Sequence, residues 1–522
     1  MKSLLPIMFS LALLGASCTG NKTSQLTFIE TTDTHGSFLQ MAEDASVILK
    51  MREDLGDHLI LLDNGDNLQG TPYQYLSNRD STNPNLVSAY LNYFPYDVVG
   101  LGNHDIEAGK NVFDRLYSEV TMPVVCANVI DENTGEPYYA PYTMLQRDGF
   151  KIAVLGLLTP YVVTWVPDRL RPGLRFESSE AAAAHWVKVI REKEHPDFVV
   201  GLFHTGWEPQ EQNLPEDAPL GRENATKWIA ENVPGIDLIF YGHDHKAKAG
   251  YVTNTEGDTV YVVNSGCRGA GLALAEVTLS RREAPRIQVG LIPTTDQEQD
   301  EGLLAFLQPY LDRADRYQEE EVAELPVAIM PEGIYHGSCL WVDEIHRCQL
   351  DVVKARGMEA DISFAAALSH NEGLAPGMLK VKDFFSWYPF ENSLAVMSMK
   401  GSDVKAFLEY AFQVRKVIYN FDCAAGIDYV IDSIKPYGER VAIKGMSDGR
   451  PFSPDSTYRV VLNSYRSMGG GNHFVNGCGW KQEEIAEHRV WNSTEDLRSL
   501  FVEWARAKGT LDDSPLGNWS IK

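Results

Sequence analysis

Short runs of apolar residues recur along the first half of the chain, and most of them end in polar residues. The runs occupy residues 26–29, 59–62, 96–101, 151–158, 198–203, 238–241 and 260–263. Each has the length of a buried strand, and helical segments lie between several of them. This alternation predicts an α/β layered domain, whose site we expect at the carboxyl ends of the strands.

The polar residues that follow these runs have side chains that bind transition metals. Asp33 and His35 point the same way on an extended segment, because side chains repeat every two residues. A lone histidine in such a place is more often a core residue, and Asp66 alone indicates a turn or cap. Burying ionisable groups at several strand ends without a metal would be costly, so the set favours metal binding. The candidate ligands are Asp33, His35, Asp66, Asn103, His204, His243 and His245.

Residues 102–105 carry the sequence Gly-Asn-His-Asp, which places an amide, an imidazole and a carboxylate at the end of the third run. Taken alone, the stretch is equally compatible with a Gly-Asn turn and a capping aspartate. With the other candidates it supplies mixed nitrogen and oxygen ligands for two metals, including one carboxylate able to bridge them. Such a set suits Zn, Mn or Fe better than Ca or Mg, which prefer oxygen ligands.

The motifs Asp-x-His, Gly-Asp, Gly-Asn-His-Asp, a single His and Gly-His-x-His occur in this order, and together they resemble the calcineurin-like metallophosphoesterases. The resemblance implies two divalent metal ions with Asp66 bridging them. It assigns Asp33, His35 and His245 to one metal. It assigns Asn103, His204 and His243 to the other.

The resemblance gives His104 a catalytic role rather than a metal-binding one. The ring would stabilise phosphoryl charge in the transition state or protonate the leaving oxygen, while a hydroxide held by the metals attacks phosphorus in line. Asp105 or Glu107 would orient the ring, and the choice between these carboxylates stays open at this point.

The second half of the chain does not repeat the metal pattern. Its stretches 388–392, 419–422 and 463–471 resemble the C-terminal domain of the secreted 5'-nucleotidases and 2',3'-cyclic-nucleotide 2'-phosphodiesterases. In that family two aromatic rings clamp the nucleobase, which is physically sensible because stacking contributes ~1 to 3 kcal/mol per base. Core packing is the alternative for each ring. The candidate substrate contacts are Tyr419 or Phe421 on one side, Tyr465 or Phe474 on the other, and Asn371 and Arg466.

One departure from the family pattern concerns the phosphate. Where 5'-nucleotidases carry an Asn-Gly-Gly-x-Arg type segment, residues 369–373 read Ser-His-Asn-Glu-Gly, with no arginine. The Asn-x-Tyr-Arg-x-x-Gly-Gly block at residues 463–470 is more similar to the cyclic-nucleotide phosphodiesterases. The preference between 5'-monophosphates and cyclic diesters therefore stays open.

The N-terminus has the layout of an export signal. This layout consists of Lys2, the apolar residues 4–14 and the small residues 15–17. Cys18 directly after these small residues resembles a bacterial lipobox, and plain secretion is the alternative. We expect a signal at 1–18, a tether at 19–25, the metal-binding domain at 26–293, a linker helix at 294–324 and the nucleotide-binding domain at 325–522. The linker helix could equally be the last helix of the first domain. A lipid on Cys18 would hold the protein in the bacterial periplasm or cell envelope.

The net charge and the cysteine content limit the classes of binding partner and of fold. The 522 residues carry a net charge of -26, which argues against a nucleic-acid polymer because phosphate backbones need clustered Lys and Arg. The seven cysteines include no Cys-x-x-Cys pair, so a disulfide scaffold is not expected. A small nucleotide substrate, attracted by the bound cations, is more compatible with this negative charge than a nucleic-acid polymer is.

The resemblance implies a four-layer α/β sandwich followed by a second α/β (α+β) domain. The predicted function is an exported two-metal hydrolase of nucleotides, acting as a 5'-nucleotidase and/or a 2',3'-cyclic-nucleotide 2'-phosphodiesterase. One alternative is a hydrolase of UDP-sugars or of other small phosphoesters or sulfate-type esters. Another is a surface binding protein that has lost catalysis.

Overall fold

The computed structural model describes residues 22–208, 220–369 and 373–522. The predicted export signal with Cys18, and Asn371, lie outside the described residues. No helix in the described ranges is both long enough and apolar enough to cross a membrane. The six described cysteines are all free, as expected of a chain without a disulfide scaffold.

The first domain alternates strands and helices. Its strands are β1 (Thr23–Thr31), β2 (Leu59–Asp63), β3 (Val98–Val99), β4 (Val129–Asp131), β5 (Tyr142–Arg147), β6 (Phe150–Leu158), β7 (Leu174–Phe176), β8 (Phe198–His204), β9 (Leu238–Tyr241), β10 (Lys248–Thr253), β11 (Thr259–Asn264), β12 (Gly271–Ser280) and β13 (Arg286–Pro293). Its helices are α1 (Phe38–Leu55), α2 (Pro72–Arg79), α3 (Leu86–Tyr93), α4 (Asn103–Glu107), α5 (Lys110–Glu119), α6 (Val162–Trp165), α7 (Ser179–Lys193), α8 (Thr226–Asn232) and α9 (Glu301–Gln318).

Two mixed sheets form the middle of this domain. One is five-stranded in the order β13-β12-β1-β2-β3, and the other is six-stranded in the order β10-β11-β9-β8-β6-β5. Apolar side chains such as Phe28 and Val200 fill the space between the sheets. Helices α1 and α3 pack on the outer face of the first sheet, and α7 and α8 on that of the second. The predicted four-layer sandwich is confirmed.

The parallel strands bring the polar motifs to one edge. Strands β1, β2 and β3 are parallel neighbours in the first sheet, and β6, β8 and β9 are parallel neighbours in the second. Since the carboxyl ends of parallel strands meet at the same edge, the loops that follow them converge.

Helix α9 belongs to the first domain by its packing. Leu303, Leu307 and Leu311 lie in the core beneath the first sheet, and the Asp300 side chain caps the helix by accepting from the Leu303 amide. The predicted linker at 294–324 also contains the start of the next strand, Glu321–Leu325, whose pairing partner lies in the second domain.

The second domain has its own sheet and core. Its strands are β14 (Glu321–Leu325), β15 (Ile362–Ala365), β16 (Gly377–Lys380), β17 (Ser393–Lys400), β18 (Cys423–Ala425), β19 (Ile427–Ile431), β20 (Val441–Met446), β21 (Thr457–Asn463), β22 (Arg489–Asp496) and β23 (Trp519–Ile521). Its helices are α10 (Leu340–Ala355), α11 (Val381–Trp387), α12 (Gly401–Gln413), α13 (Ser464–Ser467) and α14 (Leu497–Lys508). The main sheet has the order β18-β15-β21-β17-β22, and its core runs from Val322 to Trp519.

Charged and aromatic side chains join the two domains beside α2. The Tyr75 hydroxyl donates to Asp496 Oδ2 at 3.0 Å, and Arg79 pairs with the same oxygen at 2.6 Å. The buried Arg498 guanidinium lies 4.4 Å from the Tyr75 ring centre and 3.8 Å from the Phe385 ring centre. These contacts set the position of the second domain over the loops at the strand ends.

Candidate active site and metal centre

The predicted ligands sit on tight loops with unusual backbone geometry. Asp33, His35, Asp66, His243 and His245 all have positive φ, between 45° and 78°. Such conformations cost of order 1 to 3 kcal/mol each for residues other than glycine and concentrate at functional sites. The strained backbone of these loops directs the five side chains toward one another.

Glycines in the motifs make room for the ligand carboxylates. A Cβ on Gly102 would overlap the Asp66 side chain, and a Cβ on Gly242 would overlap Thr32 and Asp33. The Gly-Asn-His-Asp and Gly-His-x-His motifs therefore need glycine because backbone and carboxylate come into contact there.

The first group of ligand atoms comes from Asp33, His35, Asp66 and His245, whose ligand atoms all lie within 4.8 Å of one another. The Nε2 atoms of His35 and His245 are 3.0 Å apart, and His245 Nε2 is 3.3 Å from Asp33 Oδ1. Asp66 Oδ2 is 3.9 Å from His35 Nε2. This arrangement fits one cation between mixed nitrogen and oxygen ligands.

The second group lies directly beside the first. His243 Nδ1 is 2.7 Å from Asn103 Oδ1, and His204 Nε2 is 3.1 Å from Asp66 Oδ2. The same Asp66 oxygen thus faces His35 of the first group and His204 of the second. The structure brings all seven predicted ligands together, in the two groups that the resemblance implies.

The buried polar atoms of this site fit a bound cation. Asp66 Oδ2 and His204 Nε2 are buried and face each other at 3.1 Å, but neither makes a well-aligned hydrogen bond to any described residue. Leaving such atoms unpaired would cost roughly 1 to 3 kcal/mol each. Burial lowers the pKa of His35 to about 4, so that ring is neutral and able to bind a metal. Burial alone would raise the pKa of Asp66, but the facing His204 and His104 hold it well below its usual range.

His104 lies beside the ligands and has its own carboxylate partner. Its Nδ1 is 2.8 Å from Glu107 Oε2, its ring centre is 5.2 Å from that of His35, and its backbone amide donates to Asp66 Oδ1 at 2.8 Å. Burial by itself would lower the pKa of His104, but the charges of Glu107 and Asp66 outweigh burial and raise the pKa to about 10. The ring is therefore held by Glu107 with a proton to donate.

Asp105 has a different position. Its carboxylate accepts from the backbone amides of residues 66, 67, 68 and 102 and from the Tyr117 hydroxyl. No hydrogen bond joins Asp105 to His104 in the described structure, so Asp105 holds the Asp66 loop. Of the two carboxylates left open by the sequence, the structure places Glu107 on the ring.

A cleft between the domains opens onto this site. Its volume is about 1170 Å³. The first domain contributes Asn103, His104, Glu107, Trp165, Glu223 and His243, and the second contributes Phe390, Tyr419, Asn463, Tyr465 and the glycines 469–471. The metal-binding edge of one domain therefore faces a wall of aromatic and polar residues from the other.

Comparison with known proteins agrees with this geometry. Residues 26–247 match the calcineurin-like phosphoesterase family, and residues 332–476 match the 5'-nucleotidase C-terminal domain family. The chain is a calcineurin-like phosphoesterase with a 5'-nucleotidase C-terminal domain. It is accordingly a metal-dependent phosphoester hydrolase.

Two relatives and one solved structure match this phosphoesterase over most of its length. A Salmonella typhimurium protein named 2',3'-cyclic-nucleotide 2'-phosphodiesterase/3'-nucleotidase is 24% identical over 98% of this chain and 91% of the relative. A 5'-nucleotidase of Vibrio vulnificus is 23% identical over 86% of each chain. The solved 5'-nucleotidase precursor of Thermus thermophilus has the same fold, with a TM-score of 0.65, 21% identity and coverage of 95% of this chain and 99% of that one.

The structure separates the four aromatic candidates of the phosphoesterase. Tyr419 and Tyr465 line the cleft, and 37% of Tyr465 is exposed. Phe421 and Phe474 are both 0% exposed. Phe421 packs on Tyr335, Phe412 and Trp519, and Phe474 packs on Phe407 and Trp480. Phe421 and Phe474, the alternatives to these tyrosines, therefore do not line the cleft, because both rings fill the core of the second domain.

The Arg466 side chain, predicted to contact substrate, is already occupied by hydrogen bonds within the protein. Its guanidinium donates to Asp422 Oδ2, Gly470 O, Tyr419 O and Asn420 Oδ1 at 2.6 to 3.1 Å. The side chain is buried, although it reaches the cleft wall. Arg466 therefore ties the loop that carries Tyr419 to the glycine loop, where Gly470 lies so close to the Tyr465 ring that a Cβ would overlap it.

Two cleft residues, Trp165 and Glu223, lie outside every motif found in the sequence, whereas Phe390 lies in the stretch 388–392. Trp165 stacks on the His243 ring at 5.7 Å, and Glu223 contacts the same ring. Phe390 makes an edge contact with Tyr419 at 5.9 Å. Their positions depend on long-range packing, so sequence alone offers no signal for the first two.

Proposed function

We propose that this phosphoesterase hydrolyses nucleotides with two divalent metal ions, as a 5'-nucleotidase and/or a 2',3'-cyclic-nucleotide 2'-phosphodiesterase. The main observation behind the proposal is that the metal ligands and the tyrosines of the second domain line the same cleft. A phosphoryl group at the strand ends and a base between aromatic rings would occupy the two sides of that cleft. The names of the similar proteins support the same substrate class.

The metal ligands divide the binding task between two cations. Asp33, His35 and His245 would hold one, Asn103, His204 and His243 the other, and Asp66 would contact both. When bound, the cations supply Lewis-acid neutralisation of phosphoryl charge and activation of a water nucleophile. The mixed ligand set favours Zn, Mn or Fe.

The protein's own groups complete the chemistry. Glu107 would keep a proton on His104 Nδ1 and favour the doubly protonated ring, whose Nε2–H would be presented to the leaving oxygen or to a charged phosphoryl oxygen. Glu107 fixes the ring orientation. Asp105 keeps the Asp66 loop in place through backbone hydrogen bonds.

Tyr419 and Tyr465 are the proposed base contacts. Stacking on an aromatic face tolerates any base, so these rings favour nucleosides in general over one base. The Arg466 hydrogen bonds and the Phe390 edge contact hold the rings in place before substrate arrives. Binding energy at the base would position the reacting phosphorus at the metals.

A hydrolysis panel tests this function. Purified protein with Zn²⁺ or Mn²⁺ is assayed on nucleoside 2',3'-cyclic, 3'- and 5'-monophosphates, UDP-glucose and p-nitrophenyl phosphate. We expect kcat/KM for at least one nucleotide class to exceed that for p-nitrophenyl phosphate. Preference for UDP-glucose, or equal activity on the aryl ester and every nucleotide, would refute the nucleotide assignment. No metal-dependent turnover on any ester would favour the non-catalytic alternative.

We also propose that the protein is exported and lipid-anchored through Cys18. The proposal rests on the layout of residues 1–18, which lie outside the described structure. Cys18→Ala expressed in a bacterial host should move the protein from the membrane fraction to the soluble periplasmic fraction. An unchanged distribution would exclude the lipid anchor, and cytoplasmic retention of the wild type would exclude export.

A further inference from the structure

The His243 ring is engaged at both nitrogens. Nδ1 lies 2.7 Å from Asn103 Oδ1, on the side of the second metal position. Nε2 lies 3.1 Å from Glu223 Oε1. The Trp165 ring covers the imidazole, with a centroid distance of 5.7 Å and an interplanar angle of 27°. The ring is thus fixed on its edge by a carboxylate and on its face by an indole.

The backbone at Glu223 is anchored to the end of β8. The Thr205 hydroxyl donates to the Glu223 carbonyl at 2.6 Å and accepts from the Ala225 amide at 2.8 Å. Thr205 follows His204, which is itself a predicted ligand of the second metal. These two hydrogen bonds attach the backbone at Glu223 to the residue that follows His204.

Two other ligand histidines, His35 and His204, have backbone carbonyls as partners of the Nδ1 atom. His35 Nδ1 faces the Gln69 carbonyl at 3.1 Å, and His204 Nδ1 faces the Asn64 carbonyl at 2.8 Å. Glu223 instead supplies a side-chain carboxylate. A charged acceptor makes a stronger hydrogen bond than a carbonyl and makes the ring a better metal ligand.

We propose that Glu223 is a positioning residue for the second metal. It holds the proton of His243 on Nε2, so that the Nδ1 lone pair faces the cation beside Asn103. Removing the carboxylate allows the proton to move to Nδ1 and the ring to turn, and both changes compete with metal binding. This inference rests on the two-metal part of the proposed function and not on the identity of the substrate.

The test compares zinc retention in full-length variants. Wild type, Glu223→Gln and Glu223→Ala are dialysed against Zn²⁺ buffers of stepped free concentration, and zinc per chain is measured. We expect one of two binding steps to weaken about 10-fold in Glu223→Gln, whose neutral amide oxygen can still accept, and up to about 100-fold in Glu223→Ala. The other step should not change. Glu208→Gln is the matched control, because Glu208 is exposed and pairs with Lys227.

A second measurement separates positioning from other roles. In both variants the loss of kcat on p-nitrophenyl phosphate should be largest at limiting Zn²⁺ and shrink at saturating Zn²⁺, because Glu223 acts through His243. Unchanged zinc retention would overturn the proposal. Equal weakening of both steps with a lowered Tm would assign Glu223 a general structural role instead. A kcat that stays low with both sites filled would place Glu223 on the substrate. Failure of the nucleotide panel would leave the zinc result unaffected.

Discussion

The sharpest test of the catalytic arrangement is the pair of acidic residues near His104. Glu107→Gln keeps the size of the side chain but removes the charge that holds the His104 ring. Asp105→Asn makes the same chemical change on the same helix, at a carboxylate that contacts backbone amides instead. The two variants therefore separate ring orientation from loop stability.

The expected magnitudes follow from the contacts. The His104–Glu107 hydrogen bond is 2.8 Å long, and both side chains are 27% exposed, so solvent screens it only partly. A hydrogen bond to a charged group contributes about 1.5 to 3 kcal/mol, which corresponds to a loss of about 10- to 150-fold in kcat. Removal of the ring in His104→Ala should cost about 10²- to 10⁴-fold. Asp105→Asn should instead lower Tm.

The assay is kcat on a nucleoside 3'-monophosphate and on p-nitrophenyl phosphate, with metal content measured on the same samples. If His104 protonates the leaving oxygen, the loss should be larger on the nucleoside ester, whose leaving group is poorer. Equal losses on both esters would indicate charge stabilisation. A Glu107→Gln variant with wild-type kcat, or one that loses metal, would refute the orienting role.

Three further predictions cover the metals, the base and the core. Asp66→Asn should lose metal at both positions and nearly all activity while the second domain stays folded, and two metals per chain in that variant would contradict bridging. Tyr419→Ala and Tyr465→Ala should each lower kcat/KM for nucleotides by a factor that corresponds to ~1 to 3 kcal/mol of stacking, and should leave kcat/KM for p-nitrophenyl phosphate unchanged. Phe421→Leu should lower Tm without changing the ratio of nucleotide to aryl-ester hydrolysis. Burial raises the pKa of Asp44 to about 7, so its ionisation destabilises the fold increasingly between pH 4 and pH 7. Asp44→Asn should therefore raise Tm more at pH 8 than at pH 5, and equal gains at both pH values would exclude this cause.

The fold of the first domain and its metal ligands were predictable because their signals are local. Apolar runs of strand length alternate with helices, and each relevant strand ends in a residue type that is rarely buried alone. Parallel strands then bring those ends to one edge, which the order of strands in both sheets confirms. Asp33 and Asp66 follow neighbouring strands of one sheet, and His204 joins them because the second sheet packs against the first.

The neighbours of the ligands could not be predicted in the same way. Glu223 reaches His243 because Thr205 fixes its loop, and Trp165 reaches it because α6 lies against the same edge. In the short helix α4, the Asp105 carboxylate faces backbone amides and the Glu107 carboxylate faces the His104 ring. The sequence does not show which of the two carboxylates takes which position. Each outcome is decided by tertiary contacts that leave no periodicity in the sequence.

The aromatic contacts show where residue type still carries information. A phenylalanine ring serves a core and a stacking site equally well, so the sequence could not separate Phe421 from Tyr419, or Phe474 from Tyr465. A tyrosine hydroxyl needs a polar partner when it is buried, so tyrosine tends to lie where one end of the ring reaches water. In both pairs the structure follows that preference: the phenylalanine is in the core and the tyrosine is in the cleft. If Tyr419→Ala and Tyr465→Ala both lose selectivity for nucleotides, the tyrosines that line the cleft also bind the base.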